Sequence, residues 1–266
     1  MIDIQWKGKV GYGDIVSPLC YAHNVSFQLN EPVNLTFRWD NDSSYKYDKR
    51  DPETLWERTN TLNWMCQKQG TQVTVQHAFN SPLDINHTNY DWKIVGRDRF
   101  HNYWKPVLFN KPISNVVVVN TTERNTTSLK RYGKGWKDLA AGQWPDIIKQ
   151  LSENYTVVPV DYRTPMRELL AVLLSAKGFI GYHGTAAWVA RFLHVPSVLF
   201  ADGGSLTRDA FFYAKVIGAL ADIQPAIHTI DSHFDESRRR IRSTLVEYES
   251  YKPSERFIGH LQHEQL

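Results

Sequence analysis

Residues 178–200 have the sequence GFIGYHGTAAWVARFLHVPSVLF, and this stretch decides the fold class. Its two short apolar runs, residues 178–182 and 196–201, are predicted strands. The segment between them, residues 185–194, has the length and composition of a helix. Parallel strands need a crossover of this kind, so the stretch predicts a βαβ unit.

The same alternation continues on both sides of this unit. Strands are also predicted at residues 2–6, 33–39, 72–79, 116–120, 155–160 and 226–230. Helices are predicted at residues 15–28, 53–68, 143–153, 165–176, 208–220 and 235–251, whereas residues 80–110 are predicted to be irregular. The pattern predicts an α/β protein of two Rossmann-like domains, residues 1–110 and 111–266, with a cleft between them. We expect the last helix to pack back on the first domain.

Composition indicates a folded protein with one large domain or two small ones. The chain has 266 residues, of which 42% are hydrophobic and 22% are charged, and its formal net charge is +3. No apolar run approaches the roughly 20 residues that cross a bilayer. The first residues lack the pattern of a signal peptide, and Cys20 and Cys66 make no disulfide framework. We therefore expect a cytoplasmic protein with no membrane span.

Several classes of function are disfavoured because their patterns are missing. Residues 1–110 hold twelve basic and twelve acidic residues, so residues 111–266 carry the whole net charge of +3. This is not the basic bias of a nonspecific nucleic-acid binder. The sequence also lacks metal-ligand spacing, a Gly-x-Ser-x-Gly elbow and a Walker lysine motif. We expect no metal site.

The first motif that could carry chemistry is Gly11-x-Gly13-Asp14, between a predicted strand and a predicted helix. The glycines permit a ligand to approach the main chain closely, and a helix N-terminus favours an anion. Asp14 would lie at the carboxyl end of the first strand, where open α/β sheets bind ligands. The alternative is that Asp14 is a simple helix N-cap. Pro18 is expected in the first helical turn, where proline is tolerated.

The second motif, Gly181-Tyr182-His183-Gly184-Thr185-Ala186, joins a predicted strand to a predicted helix. The main-chain N–H groups of Thr185 and Ala186 would be free to bind an anion such as a diphosphate. His183 could donate to a phosphate or a sugar hydroxyl, or could be a packed structural histidine. Ala186 and Ala187 could equally serve tight packing of the helix on the sheet.

The third motif is residues 130–137, KRYGKGWK, which follow the predicted strand at residues 116–120. Its cations and glycines could clamp a diphosphate. The alternative is a solvated basic loop, which is the usual state of a run of charges.

Together these motifs resemble the lipopolysaccharide heptosyltransferase family and its GT-B relatives. The resemblance rests on Gly13-Asp14 entering a helix, on Lys134-Gly135-Trp136, and on residues 178–200 with their Val-Pro before the last strand. It implies a GT-B fold with Asp14 as the general base. It also implies that Gly13, Lys134, His183, Gly184, Thr185 and Ala186 bind the donor. The family usually has an acidic residue where this chain has His183.

The resemblance implies an inverting, metal-independent glycosyltransferase. A nucleotide sugar, expected to be a UDP-sugar, is the co-substrate, and no further cofactor is expected. Asp14 would remove the proton of an acceptor hydroxyl. Lys134 and the helix that starts at Thr185 would stabilise the leaving nucleoside diphosphate.

Three hypotheses stay open: two name different acceptors, and the third is that the chain is not an enzyme. In size and composition the chain is similar to bacteriophage DNA glycosyltransferases, which favours a hydroxymethylated pyrimidine in DNA, acted on in the cytoplasm of the host cell. Arg97, Arg99, Tyr103 and Trp104 would then contact the DNA. The second hypothesis is a lipopolysaccharide or another surface glycan. The third is a non-catalytic domain that binds nucleotide sugars.

Overall fold

The protein is built on two parallel β-sheets, which a computed structural model describes. The described residues are 1–7, 12–39, 57, 59–61, 63, 67, 71–79, 88–89, 114–121, 144–161, 163–182, 184–200, 214–217 and 223–249. The chain divides into two compact units, Met1–Val107 with Leu245–Leu266, and Leu108–Thr244. No helix among the described residues is long and apolar enough to cross a membrane. The expected cleft between two domains stays a prediction.

The first unit holds a four-stranded parallel sheet in the order β3-β2-β1-β4. Its elements are β1 (Ile2–Lys7), α1 (Tyr12–Leu29), β2 (Val33–Trp39), β3 (Val73–Phe79) and β4 (Thr88–Asn89). β4 is a short strand within the stretch that was predicted to be irregular. Every second side chain along β1, β2 and β3 is buried, because successive side chains of a strand point to opposite faces of the sheet. They pack with the buried face of α1, whose side chains recur with the helical period of about 3.6 residues.

Helix α1 begins three residues earlier than the sequence predicts, at Tyr12 instead of Ile15. Gly13 and Asp14 therefore lie in its first turn and not in a turn before it. Pro18 lies in the second turn, which corrects the expectation that it falls in the first. Because proline has no N–H, it leaves the Asp14 carbonyl without its usual intrahelical partner.

A buried histidine, His23, joins α1 to Asn63 and to Thr71, which lies just before β3. The hydrogen bonds fit one neutral tautomer, in which His23 Nδ1 accepts from the Thr71 hydroxyl and Nε2 donates to Asn63 Oδ1 at 3.1 Å. The Asn63 amide donates in turn to the Val73 carbonyl, 3.5 Å away, which fixes the orientation of the amide. Burial lowers the pKa of His23 to about 3, against the opposing effect of the hydrogen bond to Asn63.

The second unit holds a five-stranded parallel sheet in the order β6-β5-β7-β8-β9. Its strands are β5 (Val116–Asn120), β6 (Thr156–Val160), β7 (Gly178–Tyr182), β8 (Ser197–Phe200) and β9 (Lys215–Ile217). Its helices are α2 (Trp144–Ser152), α3 (Met166–Leu173), α4 (Thr185–Phe192), α5 (Ile223–His228) and α6 (Ile230–Glu249), of which residues 245–249 are assigned to the first unit. The βαβ unit predicted from residues 178–200 is β7-α4-β8, so that prediction is confirmed.

One face of this sheet is covered by α2, α5 and α6. The buried core there contains Val117, Val119, Trp144, Ile147, Leu151, Tyr155, Ile180, Tyr182, Val198, Phe200, Ala226, Ile230 and Phe234. Helix α6 packs directly on β7, since a side chain at Gly178 would overlap the Phe234 ring.

Two predicted elements near the end of the chain are wrong. Lys215–Ile217 is strand β9, within residues 208–220 that were predicted to be a helix. The β-branched side chains of this stretch favour a strand, and its main chain pairs with β8. Residues 226–230 are not extended: they contain the end of α5 and the start of α6, because Ala226, Ile230 and Phe234 recur every four residues and all face the core.

Candidate functional site

The strand order of the second sheet reverses between β5 and β7. The chain passes from β5 to β6 on one side, then crosses to β7 on the other side and continues to β8. Ligands of open α/β sheets bind outside the carboxyl ends of the strands at such a position, because the loops diverge there and leave a crevice. The residues that follow β5 and β7 are therefore the candidate site.

A short turn connects β7 to α4 at this position. Gly184 is the N-cap residue, with φ −172° and ψ −165°, and no side chain caps the helix. The Gly184 carbonyl accepts the first helical hydrogen bond, from the Trp188 N–H at 3.0 Å. The N–H groups of Thr185, Ala186 and Ala187 come before the helical bonding pattern begins. They are donors that an anion can use.

Within the described part of the chain, the start of α4 is open and its own first turn carries no acidic side chain. An added Cβ at Gly184 would meet no atom of the described residues within 4 Å. The first turn of α4 has no acidic residue, whereas α2 and α3 have Asp146 and Glu168 in theirs. Each of these helices follows a strand and so begins at the carboxyl edge of the sheet. A carboxylate there would oppose an anion at the positive helix N-terminus, so α4 suits a phosphate best of the three.

The alanines of α4 serve packing. Ala186 is 8% exposed and Ala187 1% exposed, and α4 lies against β7 and β8. The packing alternative raised from the sequence is therefore right for these two side chains. What the helix offers to a ligand is its main chain, and that donor-binding role stays a prediction.

Asn120, at the end of β5, lies beside β7. An added Cβ at Gly181 would lie 2.6 Å from the Asn120 Cβ, so the bare glycine makes room for this side chain. The half-buried Asn120 carboxamide therefore belongs to the carboxyl edge where the strand order reverses. Asn120 is missing from the sequence-derived site. A polar residue that closes an apolar run, here residues 116–119, is the signal that points to it.

Three aromatic rings, here called the aromatic cluster, fill the core next to this edge: Trp144, Tyr182 and Phe200. Tyr182 and Phe200 end β7 and β8 and are register partners, and Trp144 is the first residue of α2. The Trp144 ring centroid lies 5.7 Å from that of Tyr182 and 5.6 Å from that of Phe200, both edge to face. The Trp144 indole N–H donates to the Tyr182 hydroxyl at 3.2 Å. Because all three rings are buried, the cluster supports the site from within the core.

Gly13 and Asp14 lie at a comparable position of the first sheet. They are in the first turn of α1, which follows β1. In the order β3-β2-β1-β4, the strand order reverses between β1 and β4. Nothing is described of the Asp14 side chain, so its role as a general base stays a prediction.

The other predicted site residues lie outside the described part of the chain. They are Arg97, Arg99, Tyr103, Trp104, Lys134 and His183. Among the predicted donor residues, the structure thus brings Gly184, Thr185 and Ala186 together at one turn and places Gly13 in the first unit. No three His, Cys, Asp or Glu side chains among the described residues are placed to hold a metal ion. Independence from metal stays a prediction.

A cluster of polar side chains lies at the amino edge of the second sheet, at the opposite ends of the strands from the candidate site. Lys177, just before β7, donates to the Asp231 carboxylate at 2.8 Å and lies 5.0 Å from the Tyr155 ring centroid. The hydrogen bond from Lys177 lowers the pKa of Asp231, and burial raises the pKa of Tyr155 well above its usual range. Arg238 donates to the Lys177 carbonyl at 2.6 Å. These contacts hold α6 against the sheet, so we assign this cluster a structural role.

No family model and no curated protein matches the sequence. Two solved structures similar to the chain are of TibC. One is an iron-containing dodecameric glycosyltransferase from enterotoxigenic E. coli H10407. It is 15% identical to this chain, the match covers 75% of this chain and 57% of that chain, and the TM-score is 0.41. The other is described as a dodecameric iron-containing heptosyltransferase in complex with ADP-D-β-D-heptose. It is 16% identical to this chain, the match covers 81% of this chain and 62% of that chain, and the TM-score is 0.44. The chain spans less than two thirds of either structure, and no residue role is transferred from them.

Proposed function

We propose that the chain is a glycosyltransferase that binds the diphosphate of a nucleotide sugar, a UDP-sugar, at the start of α4. The observation that carries this proposal is the start of α4, which lies where the strand order reverses, has no acidic residue in its first turn and leaves space at Gly184 among the described residues. Main-chain N–H groups at such a helix start bind phosphate oxygens well. The motifs Gly13-Asp14 and Lys134-Gly135-Trp136, which resemble those of heptosyltransferases, favour sugar transfer among the reactions of nucleotide ligands.

In the proposed reaction Asp14 is the general base. Its carboxylate takes the proton of the acceptor hydroxyl while the hydroxyl oxygen bonds to the anomeric carbon. The bond from that carbon to the diphosphate oxygen breaks, and its electron pair leaves with the nucleoside diphosphate. A single displacement inverts the anomeric centre. Base catalysis of this kind contributes roughly 10²–10⁴ in rate.

The leaving nucleoside diphosphate gains negative charge as the bond breaks. The N–H groups of Thr185 and Ala186 would donate to it, and Lys134 and His183 would add cationic or neutral donors. Asn120 would contact the donor from the end of β5. Fixed donors of this kind stabilise developing charge without reorganisation, which is why we propose a transfer that needs no metal ion.

For the acceptor we propose the hydroxymethyl group of a modified pyrimidine in DNA. Arg97 and Arg99 would hold phosphates, and Tyr103 and Trp104 would stack on the bases. A surface glycan is the alternative acceptor, and a non-catalytic nucleotide-sugar-binding domain is the alternative to an enzyme. The same experiment separates the three.

The test is incubation with a panel of nucleotide sugars and two acceptors, a hydroxymethylcytosine duplex and a lipopolysaccharide core, in the presence of EDTA. Mass spectrometry of the acceptors should show one added sugar on the modified nucleoside. Asp14→Asn should lose at least about 100-fold in turnover, whereas Asp3→Asn, an exposed change on β1, should not.

Each other outcome corrects one part of the proposal. Turnover of Asp14→Asn within about tenfold of the wild type would remove Asp14 as the base. Sugar on the glycan alone would replace DNA as the acceptor. Nucleotide-sugar binding with no product on either acceptor would favour the binding domain over the enzyme.

A further inference from the structure

The aromatic cluster joins two segments that the proposed donor site needs. Tyr182 is the last residue of β7, directly before the turn that leads into α4. Trp144 is the first residue of α2, and the segment before it contains Lys134. The Trp144 indole N–H donates to the Tyr182 hydroxyl at 3.2 Å. This hydrogen bond therefore links the start of α2 to the end of β7.

Packing alone does not require this hydrogen bond. Trp144 is 5% exposed and Tyr182 is 9% exposed, and their rings meet edge to face at 81°. A phenylalanine at position 182 would offer the same ring contact. A buried N–H and a buried hydroxyl each need a partner, and this hydrogen bond supplies one for each group. The bond thus fixes the orientation of both rings.

A fixed Tyr182 also fixes the start of α4. Its main chain is paired with Phe200 of β8, and its side chain is held by Trp144. Only two residues, 183 and 184, separate Tyr182 from Thr185, so little slack remains between them. Phosphate binding by N–H groups depends on donor positions within a fraction of an ångström. Rotation or displacement of Tyr182 would therefore misplace the amides of Thr185 and Ala186.

Helix α2 itself is poorly suited to bind the anion. Its second residue, Pro145, has no N–H, and Asp146 places a carboxylate in its first turn. Trp144 is buried and cannot contact a ligand by its ring face. What α2 contributes at this edge is support for β7.

We propose that Trp144 and Tyr182 are positioning residues of the donor site, which hold the turn before α4 in the geometry that binds a nucleoside diphosphate. This inference rests on the proposed function and deepens it. Loss of the hydrogen bond weakens donor binding more than the accompanying loss of stability explains.

The test measures the Kd of UDP by isothermal titration calorimetry and the Tm of each protein. Tyr182→Phe removes one oxygen and Trp144→Phe removes the N–H, and each should raise the Kd about threefold to tenfold. The matched control is Leu151→Ala, a change in the same core and the same helix but two turns away from the site. It should lower the Tm at least as much and leave the Kd within about twofold of the wild type. Because Tyr182→Phe keeps the ring, it tests the hydrogen bond even where Trp144→Phe does not fold.

Failure of the positioning role can be distinguished from failure of the proposed function. Wild-type affinity in Tyr182→Phe would overturn the positioning role and leave the proposed function intact. An equal loss of affinity in Leu151→Ala would also overturn it, because affinity would then follow stability. Absence of UDP, ADP and GDP binding to the wild type would overturn the donor site together with the inference.

Discussion

Replacing Gly184 by alanine separates ligand approach from folding. The new Cβ would meet no atom of the described residues within 4 Å, and the extended backbone, φ −172°, is one that alanine adopts readily. Alanine restricts the unfolded chain, which stabilises a protein by about 0.4–1 kcal/mol. Alanine is also a poorer N-cap than glycine, which costs a similar amount, roughly 0.5–1 kcal/mol. The free energy of unfolding should therefore change by less than about 1 kcal/mol.

Nucleotide binding should respond quite differently. The added methyl group would stand where a phosphate has to approach the N–H groups of Thr185 and Ala186. A hydrogen bond to a charged group is worth about 1.5–3 kcal/mol, so loss of one raises the Kd of UDP by about tenfold or more. Calorimetric titration and urea unfolding of the same samples measure both quantities. Wild-type affinity in Gly184→Ala would refute a phosphate held close to this turn.

Further predictions concern the cores and the remaining site residues. Because the pKa of His23 is about 3 when folded and ordinarily about 6.5, the unfolded chain binds more protons between these values. Acidification from pH 6.5 should thus lower the free energy of unfolding by up to about 1.4 kcal/mol per pH unit, a slope that His23→Asn should reduce in urea titrations. Gly178→Ala should destabilise the protein by about 1–3 kcal/mol, since its Cβ overlaps the Phe234 ring, and Phe234→Leu should recover part of this loss in a double-mutant cycle. Lys134→Ala should raise the KM for the donor about tenfold or more. If Lys134→Ala and the control Lys137→Ala have the same KM for the donor, Lys134 belongs to a solvated loop and does not bind the donor.

The sequence predicts local elements well where length and period agree. β2, β5 and β7 have the predicted bounds, because each is a short apolar or alternating run with turn residues at both ends. Residues 226–230 show where this fails. A short apolar run fits a strand or a buried helix equally well, and the choice depends on Phe234, which packs on Gly178 far away in the sequence.

The candidate site shows the same division between local and long-range information. The turn at Gly184 follows from residue spacing along one segment. The contact of Asn120 with β7 depends on β5 and β7 being neighbours, and that order is set by crossovers that no single segment specifies. The link between Trp144 and Tyr182 likewise joins two elements that are separate in sequence. Residue types along the chain predict donors, but not which of them share an edge of the sheet.

The central claim is that the diphosphate of a nucleotide sugar binds at the start of α4. The most direct measurement is an NMR titration of ¹⁵N-labelled protein with UDP, followed through the main-chain amide resonances. We predict saturable shifts that are largest for Gly184, Thr185 and Ala186, and that Gly184→Ala reduces. Saturable shifts confined to other segments, or no shifts with UDP, ADP or GDP, would contradict the claim.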